Sequence, residues 1–205
     1  PESYGTFHLN GPALTGRSPA EIRAAGLAHV PGDRMVHGVD RHASVAANML
    51  MTREHRAPWS RNGLIDWRYV RERTSELIRQ FDIRTQGPDA AVKSLSGGNI
   101  QKVVLAREFS GDADFLLVDQ PTRGVDIGAQ ESIHDEIMRQ RAEGKAILLI
   151  SVQLDELIAL ADRIIVMFNG RIMGEVDAEG VDEDTLGLLM AGVSPDTGKP
   201  VEAHA

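Results

Sequence analysis

Short apolar runs between turn residues fill the first 32 positions, helical spacing governs the middle, and apolar runs alternating with amphipathic stretches fill the rest. Thr6-Phe7-His8-Leu9 reads as an edge strand closed by the turn pair Asn10-Gly11. Ser18-Pro19-Ala20-Glu21 has capping-box spacing and predicts a short helix that stops at Gly26. Leu27-Ala28-His29-Val30 reads as a buried strand ending at Pro31-Gly32. The pattern then predicts a helix over about 44–51, a loop over 52–63, and a longer helix from Asp66 to about Gln80. Val70, Leu77, Ile78 and Phe81 supply the helical spacing of that last element.

Beyond Lys93 the rhythm changes. A helix is expected from about 99 to 109, followed by the apolar run Phe115-Leu116-Leu117-Val118, of the kind buried on both faces of a parallel sheet. A second helix is expected over about 129–141, with Ile133, Ile137 and Met138 on one face. Ala146-Ile147-Leu148-Leu149-Ile150 reads as a second buried strand, and Leu154, Leu157, Ile158 and Ala161 mark the next helix. Two further apolar runs flank Asn169-Gly170 as a hairpin, and a last helix covers about 185–190. Strands alternating with helices imply an α/β fold with a parallel sheet. The expected organisation is N-terminal strands over 1–32, a mostly helical subdomain over 33–95, an α/β core over 96–193 and a flexible tail over 194–205.

The chain has 205 residues, 42% apolar and 25% charged, which places it among soluble globular proteins and excludes collagen-like and low-complexity classes. The absence of cysteine removes disulfides, Cys-ligated zinc and thiol catalysis, and is compatible with a reducing compartment. Lys and Arg total 22 against 30 Asp and Glu, a net charge of −8 that disfavours nucleic acid as a partner. No apolar run approaches the ~18 residues of a membrane span. The chain starts Pro1-Glu2-Ser3-Tyr4, with neither Met nor leader-like features, so it is expected to be cut or processed from something longer.

Leu95-Ser96-Gly97-Gly98-Asn99-Ile100-Gln101-Lys102 carries the chemistry. A Ser and two glycines open a helix, where free N–H groups and the helix dipole favour an anion. Asp119 then stands at the carboxyl end of a predicted strand, where open α/β sheets bind ligands and a carboxylate suits Mg²⁺ beside phosphates. Pro121-Thr122-Arg123-Gly124-Val125-Asp126 follows as a tight loop with a second carboxylate.

With these segments in order, the sequence resembles the nucleotide-binding domains of ABC-type ATPases, which have a P-loop NTPase-like fold. Residues 95–101 look like the family signature, 115–119 like the Walker B strand, and 124–126 like the D-loop. Ile150-Ser151-Val152 falls where the switch His loop lies, and His29-Val30-Pro31-Gly32-Asp33-Arg34 where the Q-loop lies. The motifs Pro31-Gly32-Asp33-Arg34, Gln120-Pro121-Thr122-Arg123-Gly124-Val125-Asp126, Ser151-Val152-Gln153-Leu154-Asp155-Glu156 and Phe81-Asp82-Ile83-Arg84-Thr85 resemble the second ATPase half of simple-sugar and nucleoside importers. The resemblance implies ATP and Mg²⁺ as cofactors. It implies nucleotide contacts from Ser96, Gly97, Gly98, Asn99, Gln101 and Asp126, and Mg²⁺ held through water by Asp119. The catalytic positions are Asp119, Gln120 (where the family has Glu) and Val152 (where it has the switch His). Implied partners are a second ABC ATPase half, membrane permease subunits and, indirectly, a solute-binding protein, with the chain peripheral on the cytoplasmic face of the membrane.

Several positions depart from the family. The phosphate loop G-x-x-x-x-G-K-[ST] does not occur: Gly144-Lys145 and Gly198-Lys199 lack both the following hydroxyl and the earlier glycine. The resemblance places that loop before residue 1, so the 205-residue chain alone is expected to be inactive, with uncovered apolar sheet surface and a tendency to self-associate. Gln120 cannot act as a base, Val152 offers no side-chain hydrogen bond, and Gly32 takes the Q-loop position. The expectation is a degenerate site of its own, with Ser96 to Gly98 completing the ATP site of a partner. An inactive ABC-type regulatory module and a non-transport ABC ATPase are the alternatives.

Other residues read more plainly. His29 and His134 have no partner at metal spacing. Trp59 and Trp67 suit packing or partner docking, and Asp155-Glu156 a solvated helix start. Arg34 and Arg123 suit a phosphate, a carboxylate or a surface ion pair.

Overall fold

The computed structural model describes residues 5–11 and 13–193, and divides after Ile150 into two units. The first unit runs α1 (Pro19–Ala24), β1 (Leu27–Val30), α2 (Val45–Leu50), β2 (Ser60–Arg61), β3 (Leu64–Ile65), α3 (Trp67–Gln80), α4 (Gly97–Phe109), β4 (Phe115–Asp119), α5 (Ile127–Ala142) and β5 (Ala146–Ile150). The second holds α6 (Leu154–Leu160), β6 (Arg163–Phe168), β7 (Arg171–Asp177) and α7 (Glu183–Met190).

Local hydrogen bonds account for the helix starts. Ser18 and Glu21 form the expected capping box at α1, and Ser44, Asp66, Ser96 and Asp126 each accept a backbone N–H at the start of α2, α3, α4 and α5. The region 33–95 carries α2, α3 and two turns of other helical type, within the first unit. One is a π-turn, Arg34–Gly38, that no pattern in the sequence announced. The loop expected over 52–63 holds β2, which pairs with β3 across the turn at Asn62-Gly63.

β1, β4 and β5 form a parallel sheet in the order β1-β4-β5, confirming the expected α/β frame. Its two faces differ. Ala28, Val30, Leu116 and Val118 are buried, whereas the alternate residues of β1 and β4 are only partly buried and those of β5 are exposed. Double coverage of these strands, expected from their apolar runs, is therefore not what the structure has. Exposure of Leu148 and Ile150 gives β5 one wet face in place of the buried strand read from its sequence. Leu116→Ala is expected to cost about 3 kcal/mol and Leu148→Ala under about 1 kcal/mol, because only the first opens a cavity. Urea midpoints at constant slope check the difference. The strand expected over 6–9 shrinks to a single bridge, His8 with Ala13, where Phe7 leans on Phe115 at 6.4 Å.

α4 is buried almost all round, from Ile100 to Phe109, and packs against β1, α2, α3 and α5. Near its end sits a buried ionic cluster. Glu108 accepts from Arg23 Nη1 (2.7 Å), from Arg107 Nε (2.9 Å) and from the His29 N–H (3.3 Å). Arg107 also donates to the Gly38 carbonyl at 2.8 Å, and Arg53 donates to the Arg107 carbonyl and to Ser110 Oγ. Burial lowers the Arg53 guanidinium to a pKa of about 10. These bonds join α1, β1, the π-turn and α4 into one body.

In the second unit β6 and β7 form the expected antiparallel hairpin across Asn169-Gly170. Ile164, Val166, Leu186 and Leu189 make its core, with Leu154 and Leu157 packed against it. Glu156 is buried, not solvated as its sequence context suggested, while Asp155 is exposed. The tail read over 194–205 lies outside the described residues.

Candidate functional site

Two helix starts meet at one corner of the first unit. Gly98 lies against α5: a β-carbon there would stand 3.1 Å from the Ala129 Cβ and 3.3 Å from Asp126 Oδ2. Asp126 spends one carboxylate oxygen on capping α5, accepting the Ala129 N–H at 3.0 Å. The turn before it is held by the Val125 N–H on the Thr122 carbonyl (3.1 Å) and passes through Gly124 at φ +65°, a conformation open to glycine.

Ser96 caps α4 and is exposed. Its Oγ accepts from the Asn99 backbone N–H (3.4 Å) and from Asn99 Nδ2 (2.8 Å). A hydroxyl has two acceptor lone pairs and one donor, so both bonds leave the Oγ proton available to a ligand. The N–H groups of Gly97 and Gly98, first in the helix, have no carbonyl behind them within it. The donor set is a hydroxyl, helix-start amides and the positive end of a dipole, which fits an oxyanion. Asn99 has a different employment: its Oδ1 accepts the Arg84 N–H at 2.7 Å, tying the approach to α4 in place. Gln101 is buried, with Nε2 unpartnered, so it lies inside the protein and not on the exposed corner with Ser96.

Asp119 ends β4. Gly32 passes so close that a β-carbon there would stand 2.7 Å from Asp119 Oδ2. Among the described residues no three His, Asp or Glu gather to hold a metal. A hard cation at Asp119 would then fill its coordination with oxygens from water or a ligand, which fits Mg²⁺ bound beside phosphates. Gln120 follows at φ +48°, a strained setting for a non-glycine residue, and its N–H is anchored on the Ile150 carbonyl at 2.8 Å. Val152 belongs to the second unit and is exposed.

Arg34 links the parts of the corner in a way its sequence did not announce. Its Nη1 donates to the Arg123 carbonyl at 2.6 Å and its Nη2 to the Gly124 carbonyl at 3.1 Å. Burial lowers its pKa, partly opposed by Asp33. Its partners are main-chain carbonyls, not the phosphate or carboxylate considered from sequence. Trp59 is packed, edge-on to Tyr69 at 5.4 Å and under the Arg53 guanidinium, whereas Trp67 is exposed with Arg71 above it. His29 is half-buried, which lowers its pKa.

Comparisons with known proteins bear on the family and the fold. The family model described as ABC transporter matches residues 2–123. Over 188 residues the chain is 39% identical to the guanosine import ATP-binding protein NupO of Bacillus subtilis (strain 168), covering 92% of this chain and 37% of that protein. It is 40% identical over 192 residues to the glucose import ATP-binding protein TsgD13 of Haloferax volcanii, covering 93% and 35%. The chain thus spans little more than a third of the curated relatives it matches. The dimeric ATP-binding cassette MJ0796, solved in a post-hydrolysis state bound to ADP and Pi, superposes with a TM-score of 0.71 at 18% identity, over 87% of this chain and 75% of that one, and shares its fold. A shared α/β frame, the ordered motifs along it and a family match over more than half its length establish that this chain belongs to the ABC transporter family.

Proposed function

We propose that this chain is the ATP-binding part of an importer for nucleosides or simple sugars, and that its Ser96 corner completes an ATP site whose phosphate loop lies on a second ATPase half. The observation that carries it is the exposed Ser96 hydroxyl, which accepts two hydrogen bonds from Asn99 and so keeps its own proton to donate, beside the first amides of α4. Both solute classes appear in the names of relatives. ATP supplies the phosphoryl chemistry, and Asp119 would hold Mg²⁺ through water. Ser96 and Gly97 would orient and neutralise the terminal phosphate as charge develops on it.

In that reading, the positions of this half assigned to hydrolysis hold no base. Gln120 carries an amide, Val152 an alkyl group, and Gly32 no side chain, so the hydrolytic step falls to the partner's residues. These positions equally suit a wholly inactive regulatory module. By the same proposal the partners are permease subunits and, through them, a solute-binding protein, with the chain peripheral at the cytoplasmic face. No described helix is long and apolar enough to cross a membrane. The wet row of β5 supports self-association of the 205-residue chain by itself, which light scattering tests.

The chain has no cysteine, so Ser96→Cys places a single reporter in it. In the intact importer, Mg-ATP is expected to slow alkylation of that thiol at least about tenfold, and AMP to leave it unchanged. Equal rates with and without ATP would overturn the proposal.

A further inference from the structure

Four consecutive residues, Pro31-Gly32-Asp33-Arg34, touch both ends of the corner. Gly32 abuts the Asp119 carboxylate. Two residues on, Arg34 grips the Arg123 and Gly124 carbonyls at 2.6 and 3.1 Å. Its Nη2 also fills the space beside Gly97, where a β-carbon would stand only 3.1 Å away. The backbone that launches it is fixed, because the Asp33 carboxylate accepts the N–H groups of Met35 (3.0 Å) and Val36 (3.1 Å). Among the described residues the guanidinium bonds to these two carbonyls and to no carboxylate, and its Nε is buried without a partner. A surface ion pair does not explain such a residue. A planar fork that holds two successive carbonyls as one rigid unit does, and lysine offers only a point donor in its place.

We propose that Arg34 is a positioning residue that passes a displacement of the 31–34 segment at Asp119 to the 120–126 turn and the start of α4. Its functional meaning rests on the importer reading above. There Asp119 belongs to this chain's own nucleotide site and Ser96 to the partner's, so Arg34 joins two ATP sites through a single chain.

The test uses the full 205-residue chain, labelled with ¹⁵N and free of nucleotide. Gly32→Ala pushes on Asp119 and is expected to shift the amide resonances of Gly97, Gly98 and Gly124. In an Arg34→Ala background the same change is expected to leave them in place. Arg34→Ala is further expected to speed amide exchange at 123 and 125, whose N–H groups bond to the Gln120 and Thr122 carbonyls, about tenfold, with α3 unchanged, and Arg34→Lys to restore part of the protection. Equal shifts with and without Arg34, or unaltered exchange, would overturn the proposal. If Arg34→Ala does not fold, judged by far-UV circular dichroism, the cycle is run with Arg34→Lys. There a reduced shift supports transmission and an undiminished one overturns it. Because every readout is taken without nucleotide, a failure of ATP to protect position 96 would sink the importer reading and leave these results standing.

Discussion

Glu108→Ala is expected to cost about 3–5 kcal/mol, lowering the melting temperature by roughly 10 °C. The residue is 4% exposed and takes hydrogen bonds from Arg23, Arg107 and the His29 backbone. Removing it leaves the buried Arg107 guanidinium without its carboxylate and the His29 N–H without an acceptor. Glu108→Gln keeps an acceptor and loses the charge, so its cost is expected to fall between alanine and wild type. Thermal melts of the three proteins at pH 7 check the order, and a loss under about 1 kcal/mol for alanine would contradict it.

The same cluster sets an acid limb. Burial alone would raise the Glu108 pKa, but the Arg107 and Arg23 guanidiniums outweigh it and hold the carboxyl below its ordinary value. A lowered folded pKa means that its stabilisation is fully present above the unfolded value of about 4.3 and is lost as pH falls through the folded one. Burial likewise lowers the His29 pKa, so the folded state resists a proton that the unfolded chain accepts below about pH 6.5. Both groups therefore weaken the fold on acidification, His29 first and Glu108 lower down. Urea midpoints between pH 7 and pH 3 are expected to fall in that order, and Glu108→Gln to flatten the lower part.

If the Ser96 corner completes an ATP site as proposed, Ser96→Arg is expected to lower ATP turnover of the intact importer by about a hundredfold or more, the scale of losing an oxyanion donor. The substitution removes the free hydroxyl proton and fills the exposed corner with a long side chain. Folding is expected to suffer only the loss of an N-cap, about 1 kcal/mol, since Ser96 is exposed and its partner Asn99 keeps its bond to Arg84. Ser96→Thr keeps a hydroxyl at the cap and should retain most of the turnover. By the same proposal Gln120→Glu acts on this chain's own site, not on the one that Ser96 completes, and is expected to change turnover less than twofold. Turnover that survives Ser96→Arg and responds to Gln120→Glu would reverse the assignment of the two sites.

Much of this was legible because it is local. Capping at Ser18, Asp66 and Ser96 needs a side chain and an amide three residues on, and both are written side by side in the sequence. The hairpin at Asn169-Gly170 follows from two residues that accept positive φ. Where the reading failed, the cause lay elsewhere in the chain. An apolar run cannot say whether both its faces will be covered, so β5 read as buried. Residues 6–9 looked like a strand but found no neighbour to pair with beyond a single bridge. The resemblance groups Gln101 with the signature, yet three residues past Gly98 the helix turns its side chain into the core.

Sequence by itself determined the alternation of strands and helices, the helix starts at Ser18, Asp66 and Ser96, and the family. Hydrophobic period and short-range hydrogen bonds carry that information within a few residues. Tertiary structure decided which faces of the sheet are wet, that Asp126 and Gly98 share a corner, and that Arg34 reaches carbonyls 89 and 90 positions away. Those depend on chain segments meeting in space, and a guanidinium in a sequence carries no record of which carbonyl it will find.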